Sequence, residues 1–342
     1  MADLHPLLPL AHLPYAEQLA RREERVRHAL DRAGLRAPIA PIVPSPRRTG
    51  ARARVSLRVG PGGALGFHLP GSHTFVRLDL APLARPELVE AAARIEATLT
   101  EAAASGAGIP LRGGLELRTD GTRTVLVLDE PPRGPRRSGG SAPGDTSLPE
   151  GLGDHVTVGP RRLRGDVRLH VLGLRVSPTA FYQVHLEMNE RVVADVDAWL
   201  TDLAPARLLD LYAGIGNLSA RAVRRGVAAT LIESDPVSAA DARHNLPDAE
   251  VRTADAGRYE AGSTFFDVAV LDPPRAGAPG LLPRLALTRP RAILYLSCEP
   301  TTLARDVATL LPLGYALALV QPYDMFPGTD HVETLVVLTR RG

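Results

Sequence analysis

At 342 residues the chain exceeds one typical domain and is long enough for two, each with its own buried core. Hydrophobic residues make up 44% and charged residues 23% of it, which excludes wholesale disorder, and no run of about 18 apolar residues is present, so no membrane-spanning helix is expected. The formal net charge of +2 gives no global basic field that would announce a nucleic-acid partner.

The 40 lysine-plus-arginine positions are all arginine. Guanidinium forks suit phosphates and stack on bases, but a GC-rich coding bias explains the same excess and also fits the abundance of Ala, Gly and Pro. Met1 to Leu10 show no basic region leading into an apolar stretch and a small-residue cleavage site, so a cytoplasmic location is expected. The single cysteine, Cys298, excludes an intrachain disulfide framework and a Cys-built metal or iron–sulfur site. No metal site is expected.

In chain order, Tyr15 to Ala33 reads as a polar helix with Leu19, Val26 and Leu30 on one side, stopped by Gly34. A Pro-punctuated connection follows, then alternating strands at Ala53 to Val59 and Ala64 to Leu69 around the turn at Gly60 to Gly63, and another at Phe75 to Leu80. Pro86 to Ala104 is helical by composition, and Leu115 to Leu117 and Thr124 to Leu128 flank a turn at Asp120 and Gly121. Residues 131–153, rich in Pro, Gly and Ser, cannot offset their ordering entropy by burial and are expected to form a flexible loop. His155 to Val158 and Val167 to Gly173 look like more of the same antiparallel sheet. Residues 1–175 are therefore expected to be an antiparallel α+β domain.

From Asn189 the rhythm changes. Helices are expected at Asn189 to Leu203, Leu218 to Arg225, Pro236 to His244 and Thr301 to Leu311. Apolar strands alternate with them at Leu208 to Leu211, Ala229 to Glu233, Val251 to Thr253, Val268 to Leu271 and Ala292 to Ser297. That alternation predicts an α/β domain at 176–342, a parallel sheet covered on both faces. Two closing strands, Ala316 to Pro322 and Glu333 to Leu338, have no helix between them and predict an antiparallel edge.

The segment LLDLYAGIGNLS (Leu208 to Ser219) joins the first strand of this sheet to its first helix. Gly214 and Gly216 allow a close backbone approach to a ligand, but no third Gly follows, so a dinucleotide is disfavoured. Glu233 stands at the end of the next strand, about 20 residues on, where a carboxylate accepts from ribose hydroxyls. Together with Asp210 before the turn, these favour S-adenosylmethionine. Asp255, after the third strand, sits where an acid contacts adenine; a helix N-cap is the equal alternative.

LDPPRAG (Leu271 to Gly277) follows the fourth strand, where ligands bind in such sheets. Arg275 stands where amine methyltransferases carry an aromatic residue. YLSCEPTTLARD (Tyr295 to Asp306) puts Cys298 at the end of the next strand, immediately before a helix expected to start near Pro300. Helix N-terminal amides are expected to lower the thiol pKa and make Cys298 a nucleophile rather than a buried structural residue.

These motifs, with FYQV (Phe181 to Val184), IESDP around Glu233 and QPYDMFPGTDHVETLVVL (Gln321 to Leu338), resemble in order and spacing the RNA uracil-C5 methyltransferase family, which makes 5-methyluridine in transfer and ribosomal RNA. Weaker similarity reaches back through GFHLPGSH (Gly66 to His73) and HLPYAEQL (His12 to Leu19). The resemblance implies a Rossmann-like S-adenosylmethionine methyltransferase domain preceded by an RNA-binding α+β domain. It implies cofactor contacts from Gln183, Tyr212, Asn217, Glu233 and Asp272, alongside Gly214 and Asp255 from the turn and strand-end positions. Cys298 would be the nucleophile and Glu333 the general base. Thiolate addition to C6 makes C5 electron-rich; a base must then remove the C5 proton so that the adduct eliminates. Arg275 or nearby donors are candidates for the enolate oxygen. C6 is inaccessible in a stacked helix, so the target lies in a loop or is flipped out. Arg47, Arg48, Arg52, Arg54 and Arg58 are candidates for holding flanking RNA, with a solvated face the alternative.

Many relatives carry a Cys-rich iron–sulfur motif and a small extra β-barrel; neither is seen in this sequence, so no cluster is expected and RNA binding is expected to rest on the remaining sheet. The family's Asn after the nucleophile is Glu299 here, and the Asn expected after FYQV is His185. The closing motif favours ribosomal over transfer RNA. Three alternatives stay open: a methyltransferase acting on a small molecule or RNA nitrogen, an RNA-binding or folding-assistant protein with weak catalysis, and a nicotinamide oxidoreductase, which the missing third Gly disfavours.

Overall fold

Consecutive apolar residues favour strands buried on both faces, and the sequence uses them so in one of its two units. The structure is a computed structural model that describes residues 6–69, 71–72, 74–106, 111, 113–129, 150–260 and 264–341. The first unit comprises Met1–Arg48, Leu172–Val176 and Ala180–Gly342; the second comprises Thr49–Val171 and Ser177–Thr179. Helix α1 (Tyr15–Arg32) buries Val26, Ala29 and Leu30 in the first unit's core, with Leu303, Val307 and Leu310. This corrects the expected boundary, which put all of residues 1–175 in one domain. The apolar stripe of α1 is matched within the first unit, and its buried Arg22 meets Asp324 there at 3.5 Å.

In the second unit the strands are β1 (Arg54–Val59), β2 (Leu65–His68) and β3 (Phe75–Val76), then, after helix α2 (Pro86–Ala104), β4 (Gly114–Thr119), β5 (Thr124–Leu128), β6 (Val156–Val158), β7 (Arg161–Arg164) and the short β8 (Leu169–Val171). Among the described residues the sheet order is β3-β2-β1-β4-β5-β6-β7, antiparallel except for the parallel pair β5 and β6. Alternation along β1 and β4 turns Val55, Leu57, Leu115 and Leu117 to one face, where Leu88, Ile95 and Leu99 of α2 cover them. The expected loop at 131–153 lies outside the described residues apart from its last four, which hold a short 3-10 turn at Glu150–Leu152.

The first unit continues with β9 (Leu174–Val176), α3 (Leu186–Leu203), β10 (Arg207–Leu211), α4 (Ala220–Arg224), β11 (Ala228–Glu233), α5 (Pro236–Asn245), β12 (Glu250–Thr253), β13 (Val268–Leu271), α6 (Leu281–Leu287), β14 (Ala292–Ser297), α7 (Pro300–Ala308), β15 (Tyr315–Tyr323) and β16 (Glu333–Arg340). Its sheet runs β12-β11-β10-β13-β14-β16-β15. The first five are parallel, and β16 is antiparallel to both β14 and β15, as the missing helix between the last two strands implied. The order reverses between β10 and β13, which opens a crevice at their carboxyl ends. This is a Rossmann-like α/β fold. Helix α6 was not anticipated: its seven residues, interrupted by Pro283, carry little periodicity.

Arg22 and Asp324 are 1% and 0% exposed, and Asp324 also accepts from the Tyr15 hydroxyl at 2.7 Å. Removing one member of a buried pair strands the other charge. Arg22→Met is therefore expected to destabilise the chain by about 3 kcal/mol, read as a drop in the denaturant midpoint, whereas the exposed Arg21→Met should shift it by under about 1 kcal/mol.

Candidate active site

The turn after β10 is built on left-handed backbone. Tyr212, Gly214 and Gly216 have φ of 59°, 55° and 88°. At Gly216 the backbone favours glycine, and a Cβ would also displace the tip of the Leu246 side chain, 2.6 Å away. Glu233 ends β11 and faces this turn: one carboxylate oxygen accepts from the Gly214 amide at 2.8 Å and the other from the Asp235 amide at 2.7 Å. The oxygen facing Gly214 keeps a further lone pair for a ligand hydroxyl, while the other also accepts from the Ser234 hydroxyl at 3.3 Å. Asn217 is held by a reciprocal amide pair with Asn189 of α3, at 2.8 and 3.2 Å. Tyr212 and Asp255 are close enough that the Asp255 charge, after burial, raises the tyrosine pKa. Asp255 also accepts from Gly257 N at 2.8 Å and so caps the 3-10 turn that follows.

The two residues expected to react, Cys298 and Glu333, converge one strand further along. Ser297 of β14 pairs with Thr334 of β16, so Cys298 and Glu333, the next residues outward, leave adjacent strand ends side by side. Glu333 is 1% exposed, and its Oε1 has no hydrogen-bond partner among the described residues. Asp272, on the loop after β13, accepts from the Gln183 amide at 3.1 Å. Burial pushes Asp272 up to about 7 despite that bond. Burial, together with the charge of Asp272, holds the Glu333 carboxyl well above the ordinary range. Asp210, buried beneath, is likewise pushed up to about 7 by burial and by Asp272 and Glu233.

The expectation of a lowered thiol pKa is reversed. Burial pushes Cys298 up to about 11, with Glu333 and Asp272 adding to the rise and the Arg275 guanidinium opposing it. A carboxylate already sits at the start of α7: Glu299 caps the helix, accepting from Thr301 N at 3.2 Å. Its start at Pro300 agrees with the sequence.

The arginines proposed for RNA are divided between the units and make interactions within the protein. Arg47 pairs with Glu187 at 2.9 Å and Arg48 lies 4.1 Å over the Tyr15 ring, both in the first unit. Arg54 and Arg58 of β1 stand 3.9 and 3.4 Å from Glu116 and Asp129. His185, buried, caps α3 by accepting from Met188 N at 3.2 Å, and Ser45 Oγ lies 2.7 Å from its other ring nitrogen.

Sequence reasoning missed Asp306, which accepts from Ala278 N at 2.7 Å and from the Tyr295 hydroxyl at 2.9 Å, and so fastens the loop carrying Asp272 and Arg275. The one available signal was an acid within an otherwise unexplained stretch of the cysteine motif.

The chain is similar to known proteins. Over 98% of this chain and 86% of the other, the fold matches Pyrococcus abyssi tRNA (uracil-54, C5)-methyltransferase in complex with S-adenosyl-L-homocysteine, at a TM-score of 0.75 and 25% identity. The fold and site define an S-adenosylmethionine-dependent methyltransferase. A family profile described as tRNA (Uracil-5-)-methyltransferase matches residues 256–341. A 23S rRNA (uracil(1939)-C(5))-methyltransferase of Halomonas elongata is 33% identical over 96% of this chain and 73% of that protein. An uncharacterized RNA methyltransferase of Thermosynechococcus vestitus is 33% identical over 95% and 80%. The chain belongs to the RNA uracil-C5 methyltransferase family, and its cofactor is S-adenosylmethionine.

The residues present fit that cofactor. Asp210 Oδ2 and Glu333 Oε1 are buried carboxylate oxygens without a hydrogen-bond partner among the described residues, an arrangement that a cation complements. Ionising Asp272 and Asp210 strengthens that attraction, and both titrate near about 7. Affinity for S-adenosylmethionine is therefore expected to rise as pH rises from about 6 to about 8, by up to tenfold per unit. Affinity for S-adenosylhomocysteine, which lacks the sulfonium charge, should rise less. Calorimetric titration of both ligands across this range checks it; an affinity ratio independent of pH counts against the carboxylates.

Proposed function

We propose that the chain methylates C5 of a uridine in RNA through a covalent adduct between Cys298 and C6, with ribosomal RNA the favoured target. The observation that carries this reading is the pairing of β14 with β16, which sets the only thiol beside a buried carboxylate at the mouth of the crevice. In this reading Gln183, Tyr212, Gly214, Asn217, Glu233, Asp255 and Asp272 hold the cofactor, and Cys298 and Glu333 carry the chemistry. The lean toward ribosomal RNA is supported by relatives such as the Halomonas protein, which is named for 23S rRNA.

Bound S-adenosylmethionine supplies an electrophilic methyl group on a sulfonium. The half-buried Cys298 thiol loses its proton to solvent and adds to C6, the C5–C6 π pair moving towards O4 as an enolate. Arg275, which already faces the thiol, is placed to donate hydrogen bonds to the developing negative charge. C5 is then nucleophilic enough to take the methyl group. Glu333 removes the proton left on C5, the C5–C6 double bond re-forms, and Cys298 departs as thiolate. A carboxylate whose pKa is raised by burial is a stronger base for that step than an exposed one.

RNA reaches the site with the uridine unstacked, and the second unit, residues 49–171 with 177–179, is the candidate for holding flanking nucleotides. No helix among the described residues is long and apolar enough to cross a membrane, and we place the activity in the cytoplasm.

Incubation with cofactor and 5-fluorouridine-containing RNA should trap a covalent complex, because fluorine cannot leave as a cation. Cys298→Ala should form none. Glu333→Gln on ordinary RNA should lower turnover about 10²- to 10⁴-fold while a methylated adduct accumulates. Undiminished 5-methyluridine formation by Cys298→Ala would remove the covalent route, and cofactor binding with no methyl transfer by the unaltered protein would favour an RNA-binding role instead.

A further inference from the structure

Helix α1 presents Gln18, Arg22 and Arg25 at spacings of four and three, on one helical face. Each contacts the segment that leads into Glu333. Gln18 accepts from Gly328 N at 3.1 Å; Arg22 donates to the carbonyls of Thr329 and Phe326 at 2.9 and 3.3 Å; Arg25 donates to the Asp330 carbonyl at 2.7 Å. Arg25 also reaches the segment that carries Cys298. Its other terminal nitrogen donates to the Glu299 carboxylate at 2.8 Å, and Glu299 directly follows Cys298.

Glu299 would otherwise be an unfavourable neighbour. It adds negative charge beside a thiol already opposed by Glu333 and Asp272, yet its other carboxylate oxygen is committed to capping α7 at Thr301. Arg25 neutralises that charge and restrains two strand-end segments with one planar group that has little freedom once both ends are bonded.

We propose that Arg25 is a positioning residue for the methyl transfer: by bridging the Glu299 carboxylate and the Asp330 carbonyl, its guanidinium sets the separation of the Cys298 sulfur from the Glu333 carboxylate. This rests on the covalent reading above. The bridge touches neither the turn after β10 nor Glu233, so the groups placed to hold the nucleoside part of the cofactor do not depend on it. A displacement of about 1 Å between reacting groups is enough to cost one to two orders of magnitude in rate.

The test compares R25Q, R25K, E299Q and the R25Q/E299Q double variant in the full chain. Either loss, R25Q or E299Q, should lower kcat about tenfold, with KM for S-adenosylmethionine within about twofold of the unaltered chain. The double variant should be no worse than the singles, because both remove one bridge. R25K, which keeps the charge but cannot bond both acceptors with one planar group, should recover little of the rate. Unchanged kcat in R25Q, multiplying effects in the double variant, or a KM for cofactor that rises in step with the loss would overturn the proposal. Hydrogen–deuterium exchange of the protein without RNA reads the bridge whatever the chemistry. R25Q should speed exchange in peptides spanning 297–301 and 326–333 together; acceleration in neither overturns the role of Arg25. An unaltered chain that makes no 5-methyluridine overturns the functional reading alone.

Discussion

One antiparallel pairing organises the first unit's chemistry. A parallel sheet delivers every carboxyl end to the same edge, but β16 runs the other way and delivers its first residue there instead. Its register with β14, Ser297 against Thr334, puts Glu333 at the start of one strand next to Cys298 at the end of the other. A register slip of one residue would turn Glu333 to the opposite face. β16 is buried from Glu333 to Leu338, so the core packing of the sheet and the geometry of the two groups are coupled.

Much of the first unit was legible because its strands are bounded by unmistakable turns. The runs at Val268–Leu271 and Ala292–Ser297 coincide with β13 and β14, and the others differ from expectation by a residue or two at their ends. What the sequence did not disclose was which sheet the N-terminal helix serves. The pattern of α1 shows one apolar side, but no local signal says what covers it; the buried partner of Arg22 is Asp324, far along the chain. Helix α6 was invisible for a different reason, being too short to show a period. The second unit is α+β, as expected, with one strand pair, β5 and β6, parallel rather than antiparallel, a pairing that local alternation cannot encode.

The candidate site was legible as a set of motifs but not as an electrostatic environment. Gly214 and Glu233 are tied together by a direct hydrogen bond, and Gln183 and Asp272 by another, though nothing in their spacing states that. Glu299 and His185 looked like departures that put positioning in doubt. Each turns out to cap a helix and to have a specific partner, Arg25 for the one and Ser45 for the other. A substitution read in isolation counts as a loss; read with its neighbours it is half of a pair.

The sign of the cysteine shift was the clearest failure of local reasoning, and it bears on how the site works. A helix start favours a thiolate only when its amides are free and no anion is nearer. Here Glu299 occupies the cap, and Glu333 and Asp272 supply two carboxyls within electrostatic reach. A thiol held at about 11 is almost entirely protonated at neutral pH, which protects the chain's only cysteine from adventitious oxidation. The same carboxyls that suppress the thiolate are those a cationic ligand would meet first. A positive charge beside them cancels the repulsion that, second only to burial, holds the thiol in its protonated form. The crowding of Asp210, Asp272 and Glu333 is costly to the folded chain by itself, and that cost is offset by whatever positive charge the crevice admits. A cationic ligand in the crevice would therefore lower the Cys298 pKa as well as relieve the crowded carboxyls.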